Sequence, residues 1–172
     1  MMTQPGQAPS DYTLLLQQAR ALISGESHYL PNLATTAALL WEALSDINWC
    51  GFYLTAASGD TPAHKELILG PFQGKPACIR IPFGKGVCGT AALQDTLQLV
   101  EDVHCFPGHI ACDSASASEI VIPIHGANGA VVAVLDIDSP LKARFTTADA
   151  DGLTALTRLL ETGCCFDFKD LT

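Results

Sequence analysis

Charge is scarce in this chain, and basic charge scarcest. Only 16% of its 172 residues are charged, and nine Lys and Arg stand against eighteen Asp and Glu, for a formal net charge of −9. No basic stripe exists to neutralise phosphates, which excludes a nucleic-acid partner and gives an anionic membrane surface nothing to attract. No apolar run approaches the length that crosses a bilayer. Met1 to Ser10 has neither a basic start nor an apolar stretch, so no secretory signal is expected and the expected location is cytoplasmic. The Walker pattern is missing around Lys85, and there is no CxxC pair. Internal repeats, linkers and low-complexity tracts are also lacking.

What is present is a large apolar fraction, 48%, enough for one domain spanning residues 1–172 with a flexible segment at 1–10. Seven cysteines is an odd number. Without an export signal, that argues against a disulfide scaffold and for a reducing compartment, where disulfides are transient and catalytic. The spacing predicts a helix over 11–24 with Ser10 as its cap and Leu15, Ala19 and Leu22 on one face. It predicts a second helix over 31–44, with Leu33, Ala37, Leu40 and Leu44 in a stripe that Trp41 widens. A strand is expected over 48–55, a hairpin turn over 56–64, and a partner strand over 66–69. Residues 70–89 read as irregular, followed by a short helix from Gly86 to Gln94, a strand over 97–100 and a loop over 101–118. Two strands, 119–125 and 130–138, flank the hairpin signal Gly126-Ala-Asn-Gly129. The second is apolar on both faces and therefore central. Val131, Ala133, Leu135 and Ile137 fall on one side; Val132 and Val134 fall on the other, with Asp136 and Asp138 at its end. Thr146 and Asp149 form a capping box for a final helix with Leu153, Leu156 and Leu160 buried. The fold class expected is α+β: an antiparallel sheet with the terminal helices on one face and the cysteine loops on the other.

The chemistry concentrates in the loops. Cys78, Cys88 and Cys112 lie in turn-rich stretches, and a thiolate is the nucleophile in any thiol reaction. For Cys112, in Gly108-His-Ile-Ala-Cys-Asp113, a catalytic thiol and a structural cysteine both remain open. Cys78 and Cys88, ten residues apart in Gly- and Pro-rich loops, are either a resolving pair or two cysteines without a role. His104, Cys105, His109 and Cys112 include metal-ligand types, but their spacing is unlike a zinc finger, and no metal is expected. Asp136 and Asp138, joined by Glu119 from the neighbouring strand, make either a carboxylate cluster that binds an ammonium and holds a proton, or solvated strand-end acids. Cys50 and Cys164 read as core packing.

Six segments then carry a resemblance: Gly70-Pro-Phe-Gln-Gly74, Ile81-Pro-Phe-Gly-Lys-Gly-Val-Cys-Gly-Thr-Ala-Ala92, Val103-His104, Pro107-Gly-His-Ile-Ala-Cys-Asp113, Ser118-Glu-Ile-Val121 and Asp136-Ile-Asp138-Ser139. Together they resemble the free methionine-(R)-sulfoxide reductases, which are GAF-domain enzymes, from about Trp49 to Leu160. The resemblance implies a six-stranded antiparallel sheet flanked by helices, a homodimer, and no cofactor. It implies Cys112 as nucleophile, Cys78 as resolving cysteine and Cys88 as a third member of the disulfide relay. Glu119, Asp136, Asp138 and Trp49 would line the substrate pocket. The implied partners are free methionine-(R)-sulfoxide and a thioredoxin-like reductant. Cys50 and Cys105, the latter seven residues before Cys112, depart from the family pattern, and so does the Cys164-Cys165 pair. The alternative reading is a GAF module that senses a small molecule without turnover.

Overall fold

The computed structural model describes residues 11–57, 65–108 and 114–166. The expected N-terminal segment, the tip of the first hairpin, His109 and Cys112 lie outside these residues. Helix α1 (Tyr12–Ile23) is capped by Asp11, whose carboxylate accepts the Leu14 N–H at 3.1 Å; Ser10 is outside the described residues. Its buried stripe is Leu15, Ala19 and Ile23, and Leu22 is 56% exposed. The i, i+4, i+8 row faces the helices that follow it in the core, so Leu22 is turned off it, contrary to expectation. Helix α2 (Tyr29–Ala43) begins two residues earlier than its sequence suggests. His28 Nδ1 accepts the Leu30 N–H, and Pro31 falls in the first turn, where its missing N–H has no intrahelical partner to lose. Leu33, Ala37 and Leu40 are fully buried, whereas Trp41 remains exposed and does not widen the stripe.

Helix α4 (Thr147–Gly163) carries the expected capping box: Asp149 Oδ2 accepts the Thr146 N–H at 2.8 Å, and Thr146 Oγ1 accepts the Asp149 N–H at 3.3 Å. The Tyr12 hydroxyl donates to the same carboxylate at 2.7 Å, tying the start of α1 to the start of α4. Gly152 permits this contact, since a Cβ there would lie 2.2 Å from the Tyr12 ring. Leu153, Leu156 and Leu160 are fully buried; truncating any one to Ala costs about 2–5 kcal/mol.

The sheet has six strands: β1 (Trp49–Ala57), β2 (Lys65–Gly74), β3 (Arg80–Pro82), β4 (Gln98–Val100), β5 (Ser118–His125) and β6 (Val131–Ser139). Their order is β3-β2-β1-β6-β5-β4, and every neighbouring pair is antiparallel. Strand β2 runs five residues past its expected end at Leu69. The β1–β2 register shifts between Gly51 and Tyr53, where Gly70 and Pro71 face Phe52, so Pro71 sits at a bulge and the ladder resumes beyond it. The irregular region therefore shrinks to the loops around β3 and helix α3 (Gly86–Gln94).

Helices α1, α2 and α4 cover one face of the sheet, with a core that includes Leu33, Leu40, Phe52, Ile120, Leu135 and Ile137. On the other face, α3 and the 75–85 loop close a second core around Trp49, Tyr53, Val87, Cys88, Val121 and Val134. Strand β6 is central and covered on both faces, as expected. One detail differs: Val131 packs with the α3 core and Val132 with the helix core, the reverse of strict alternation. The register shifts at Ile124/His125, with Ile124 opposite Ala133 and His125 opposite Val131, and the extra residue reverses the alternation there. None of the described helices is long and apolar enough to cross a membrane.

Candidate active site

Antiparallel register brings the predicted side chains into rows. Trp49 on β1 stands opposite Asp138 on β6, and Asp138 stands opposite Glu119 on β5. One step along, Gly51, Asp136 and Val121 form the next row. Residues two apart on a strand share a face. Both rows therefore present Trp49, Glu119, Asp136 and Asp138 to the face beneath α3. These four line one pocket with Tyr53, Cys88, Ser116 and the 76–77 and 85–87 segments; its space, open mouth included, is about 530 Å³. Glu119 and Asp136 are buried and Asp138 is half-buried.

Gly51 clears room for the aromatic wall. A Cβ there would lie 2.4 Å from the Phe72 Cβ and 2.7 Å from the Trp49 ring. With that space free, the Trp49 indole stacks between Tyr53 and Phe72, at ring separations of 5.8 and 5.4 Å. Both pocket aromatics also hold the loop above them. Trp49 Nε1–H donates to the Lys75 carbonyl at 3.1 Å, and the Tyr53 hydroxyl donates to the Cys78 carbonyl at 3.0 Å.

Burial sets the electrostatics. Asp136 is pushed up to about 7 by loss of solvent, although hydrogen bonds with Cys88 and Glu119 pull it the other way. Glu119 is raised well above the usual carboxylate range by burial and then by the charges of Asp136 and Asp138. Cys88 is the third residue of α3, where a helix N-terminus favours a thiolate. Burial and the two carboxylates overrule that effect and push the thiol well up. The Cys88 thiol points to Glu119 Oε1 at 3.9 Å. The pocket thus retains protons that exposed carboxylates surrender at neutral pH.

The cysteines divide clearly. Cys78 is half-buried and disulfide-bonded, while Cys50, Cys88, Cys105, Cys164 and Cys165 are free. Cys112 lies outside the described residues. The loop that leads from it into β5 is anchored on the sheet. Asn48 Nδ2 donates to Ser116 Oγ at 3.1 Å, the Ala117 N–H donates to the Ser139 carbonyl at 2.7 Å, and Ser118 Oγ donates to the Leu141 carbonyl at 2.6 Å. Cys50 is buried on the opposite face, in the helix core. Cys164 is half-buried at the end of α4, where Asn32 Nδ2 donates to its sulfur at 3.4 Å. Cys105 is exposed.

Sequence reasoning missed Tyr53 and Ser116. Tyr53 was open to discovery, because it is four residues from Trp49 and so shares its strand face; the hydrogen bond to the Cys78 loop left no trace in the sequence. Nothing in the sequence singles out Ser116 from Ser114 and Ser118.

The GAF domain family profile matches residues 28–163. A protein of Escherichia coli strain K12 named free methionine-R-sulfoxide reductase is 53% identical over 150 residues, covering 87% of this chain and 86% of its own. One of the same name from Saccharomyces cerevisiae is 45% identical over 156 residues, covering 88% and 84%. The X-ray structure of free methionine-R-sulfoxide reductase from Neisseria meningitidis in complex with its substrate superposes with a TM-score of 0.84 at 41% identity, covering 95% of this chain and 93% of the other. The chain belongs to the GAF domain family, within its free methionine-R-sulfoxide reductase branch.

Proposed function

We propose that the chain reduces free L-methionine-(R)-sulfoxide to methionine in the pocket beneath α3. The observation that carries this reading is a set of crowded carboxylates, two of them buried, lying beside the Cys88 thiol. Such a set can receive an α-ammonium group and retain a proton at neutral pH. The names of the relatives at 45–53% identity support the same substrate.

The chemistry balances with the groups in this chain and a dithiol. The Cys112 thiolate attacks the sulfoxide sulfur, and the carboxylate cluster protonates the sulfoxide oxygen. Methionine departs, leaving Cys112 as a sulfenic acid; the sulfoxide is reduced and the cysteine oxidised by two electrons. The Cys78 thiol then attacks the sulfenic sulfur, forming a disulfide and releasing water. A thioredoxin-like dithiol exchanges with that disulfide and is itself oxidised. Assignment of Cys78 to the resolving step is supported by its disulfide, formed while five other cysteines stay free. Burial, and then the neighbouring carboxylates, keep the Cys88 thiol protonated, which makes it slow to attack and suits it to a secondary place in the relay. Trp49 and Tyr53 form the apolar wall for the substrate's methyl end. The enzyme works in this reading as a cytoplasmic homodimer.

Selectivity follows from charge. A free amino acid brings an ammonium to Glu119, Asp136 and Asp138; a peptide-bound residue does not. The test is kcat/KM for free methionine-(R)-sulfoxide beside its N-acetyl derivative, with dithiothreitol as reductant. A large preference for the free amino acid is expected, and near-equal values would remove the ammonium argument. Cys112→Ser should abolish turnover. If that variant turns over, the nucleophile is another thiol. If the wild type binds methionine sulfoxide epimers without consuming them, the sensor reading takes its place.

A further inference from the structure

Cys88, Glu119 and Asp136 reach the pocket from three different elements, α3, β5 and β6. One potential ligand atom of each lies within 4.8 Å of the others, and all three residues are buried. Hydrogen-bonding alone leaves this group incomplete: Asp136 is 5% exposed, yet its Oδ1 atom has no hydrogen-bond partner. A buried acceptor that lacks a donor and lines a pocket can be satisfied by a cation. We propose that Cys88 Sγ, Glu119 and Asp136 form a binding site for a borderline-soft divalent cation, Zn²⁺ by the chemistry of the donors, and that this ion competes with the amino-acid substrate.

The donor set selects the ion. A thiolate with two carboxylates disfavours Mg²⁺ and Ca²⁺, which prefer oxygen alone, and suits Zn²⁺ or Co²⁺. Three protein ligands leave a fourth tetrahedral position to water. With Zn–S of about 2.3 Å and Zn–O of about 2.0–2.2 Å, tetrahedral donors stand roughly 3.3–3.6 Å apart. The Cys88–Glu119 separation of 3.9 Å is within a few tenths of that. Binding expels the thiol proton and the retained carboxyl proton to solvent, so affinity rises with pH. Cys88 is free while Cys78 is disulfide-bonded, so the site persists in the oxidised protein. The competition rests on the proposed function, because it assumes that the substrate's ammonium uses the same carboxylates. The site itself does not.

The experiment keeps these apart. The oxidised full-length protein is titrated with Co²⁺, followed by near-ultraviolet sulfur-to-cobalt absorption and visible bands. One equivalent is expected, displaced by Zn²⁺, with the sulfur band lost in Cys88→Ser and affinity reduced at least tenfold in Glu119→Gln. Cys105→Ser, altering an exposed thiol away from the pocket, should leave the spectrum unchanged. Absence of the band in wild type, its survival in Cys88→Ser, or unchanged affinity in Glu119→Gln would overturn the site. A second arm uses the reduced enzyme with a non-chelating phosphine: Zn²⁺ should raise the KM for methionine sulfoxide and leave kcat unchanged. A fall in kcat with KM constant would overturn the competition while leaving the cobalt result standing.

Discussion

Replacing Asp136 by Asn should strengthen the fold while weakening substrate binding. Asp136 is a buried acid displaced from 3.8 to about 7. For an acid whose folded value is raised, the cost is absent at low pH, where both states are protonated. It accumulates as pH climbs from 3.8 and is complete above about 7. At about 1.36 kcal/mol per pH unit, the displacement costs roughly 4 kcal/mol at pH 8. Asn has nearly the same shape, carries no charge, and can still hydrogen-bond to Glu119 and Cys88. It also removes the largest charge acting on Glu119. Relaxation around Asp136 absorbs part of the cost, so a gain of about 1–3 kcal/mol at pH 8 is expected, or several degrees in Tm. The assay is urea unfolding of both proteins between pH 5 and pH 8.5, beside a titration with methionine sulfoxide. The stability gap should widen from pH 5 to about pH 7 and level off above it, with binding impaired throughout. A variant that is less stable at pH 8, or a gap independent of pH, would refute the burial argument.

Tyr53→Phe removes the hydroxyl that holds the Cys78 carbonyl. Thioredoxin-coupled turnover should fall while the first methionine per enzyme is still released, measured by comparing single-turnover and steady-state rates. Gly51→Ala forces a Cβ against Phe72 and Trp49 and should cost about 1–3 kcal/mol in denaturant unfolding, with a loss of pocket affinity. His125 lies between Asp95 and Glu161, 2.7 Å from each, linking the end of α3 to α4. Burial works against its charge, but the two carboxylates outweigh this and raise its pKa. Its stabilising contribution is therefore complete below 6.5 and lost as pH rises through the higher folded value. His125→Ala should lower Tm at pH 6 more than at pH 8.5, as read by calorimetry.

The parts that sequence patterns predicted well depend on local rules. The capping box at Thr146 and Asp149 needs only neighbours three apart, and Leu153, Leu156 and Leu160 need only the helical period. Strand β6 was recognisable because both its faces are apolar, and that also placed Asp136 and Asp138 together. The errors arose where a distant partner decides. Leu22 and Ile23 are equally apolar, and only the position of α2 and α4 chooses between them. Val131 and Val132 exchange faces through one register shift. The row joining Trp49, Asp138 and Glu119 is a fact of strand register across three strands, which no spacing within one segment encodes. The candidate residues could thus be named in advance, but their contacts could not. The displaced protonation of Glu119 and Cys88 likewise depends on burial beneath α3.

The indole of Trp49 gives this molecule a built-in optical gauge. Its N–H is bonded to a carbonyl three residues before Cys78, and its ring lies in the pocket wall. Any rearrangement of that loop on disulfide exchange, or any ligand entering beside the ring, changes the polarity around the fluorophore. The chain's second tryptophan, Trp41, is 38% exposed on α2, against the opposite face of the sheet, and supplies a steady background. Tryptophan emission can therefore follow pocket occupancy and redox state in real time, without a label and without a coupled enzyme.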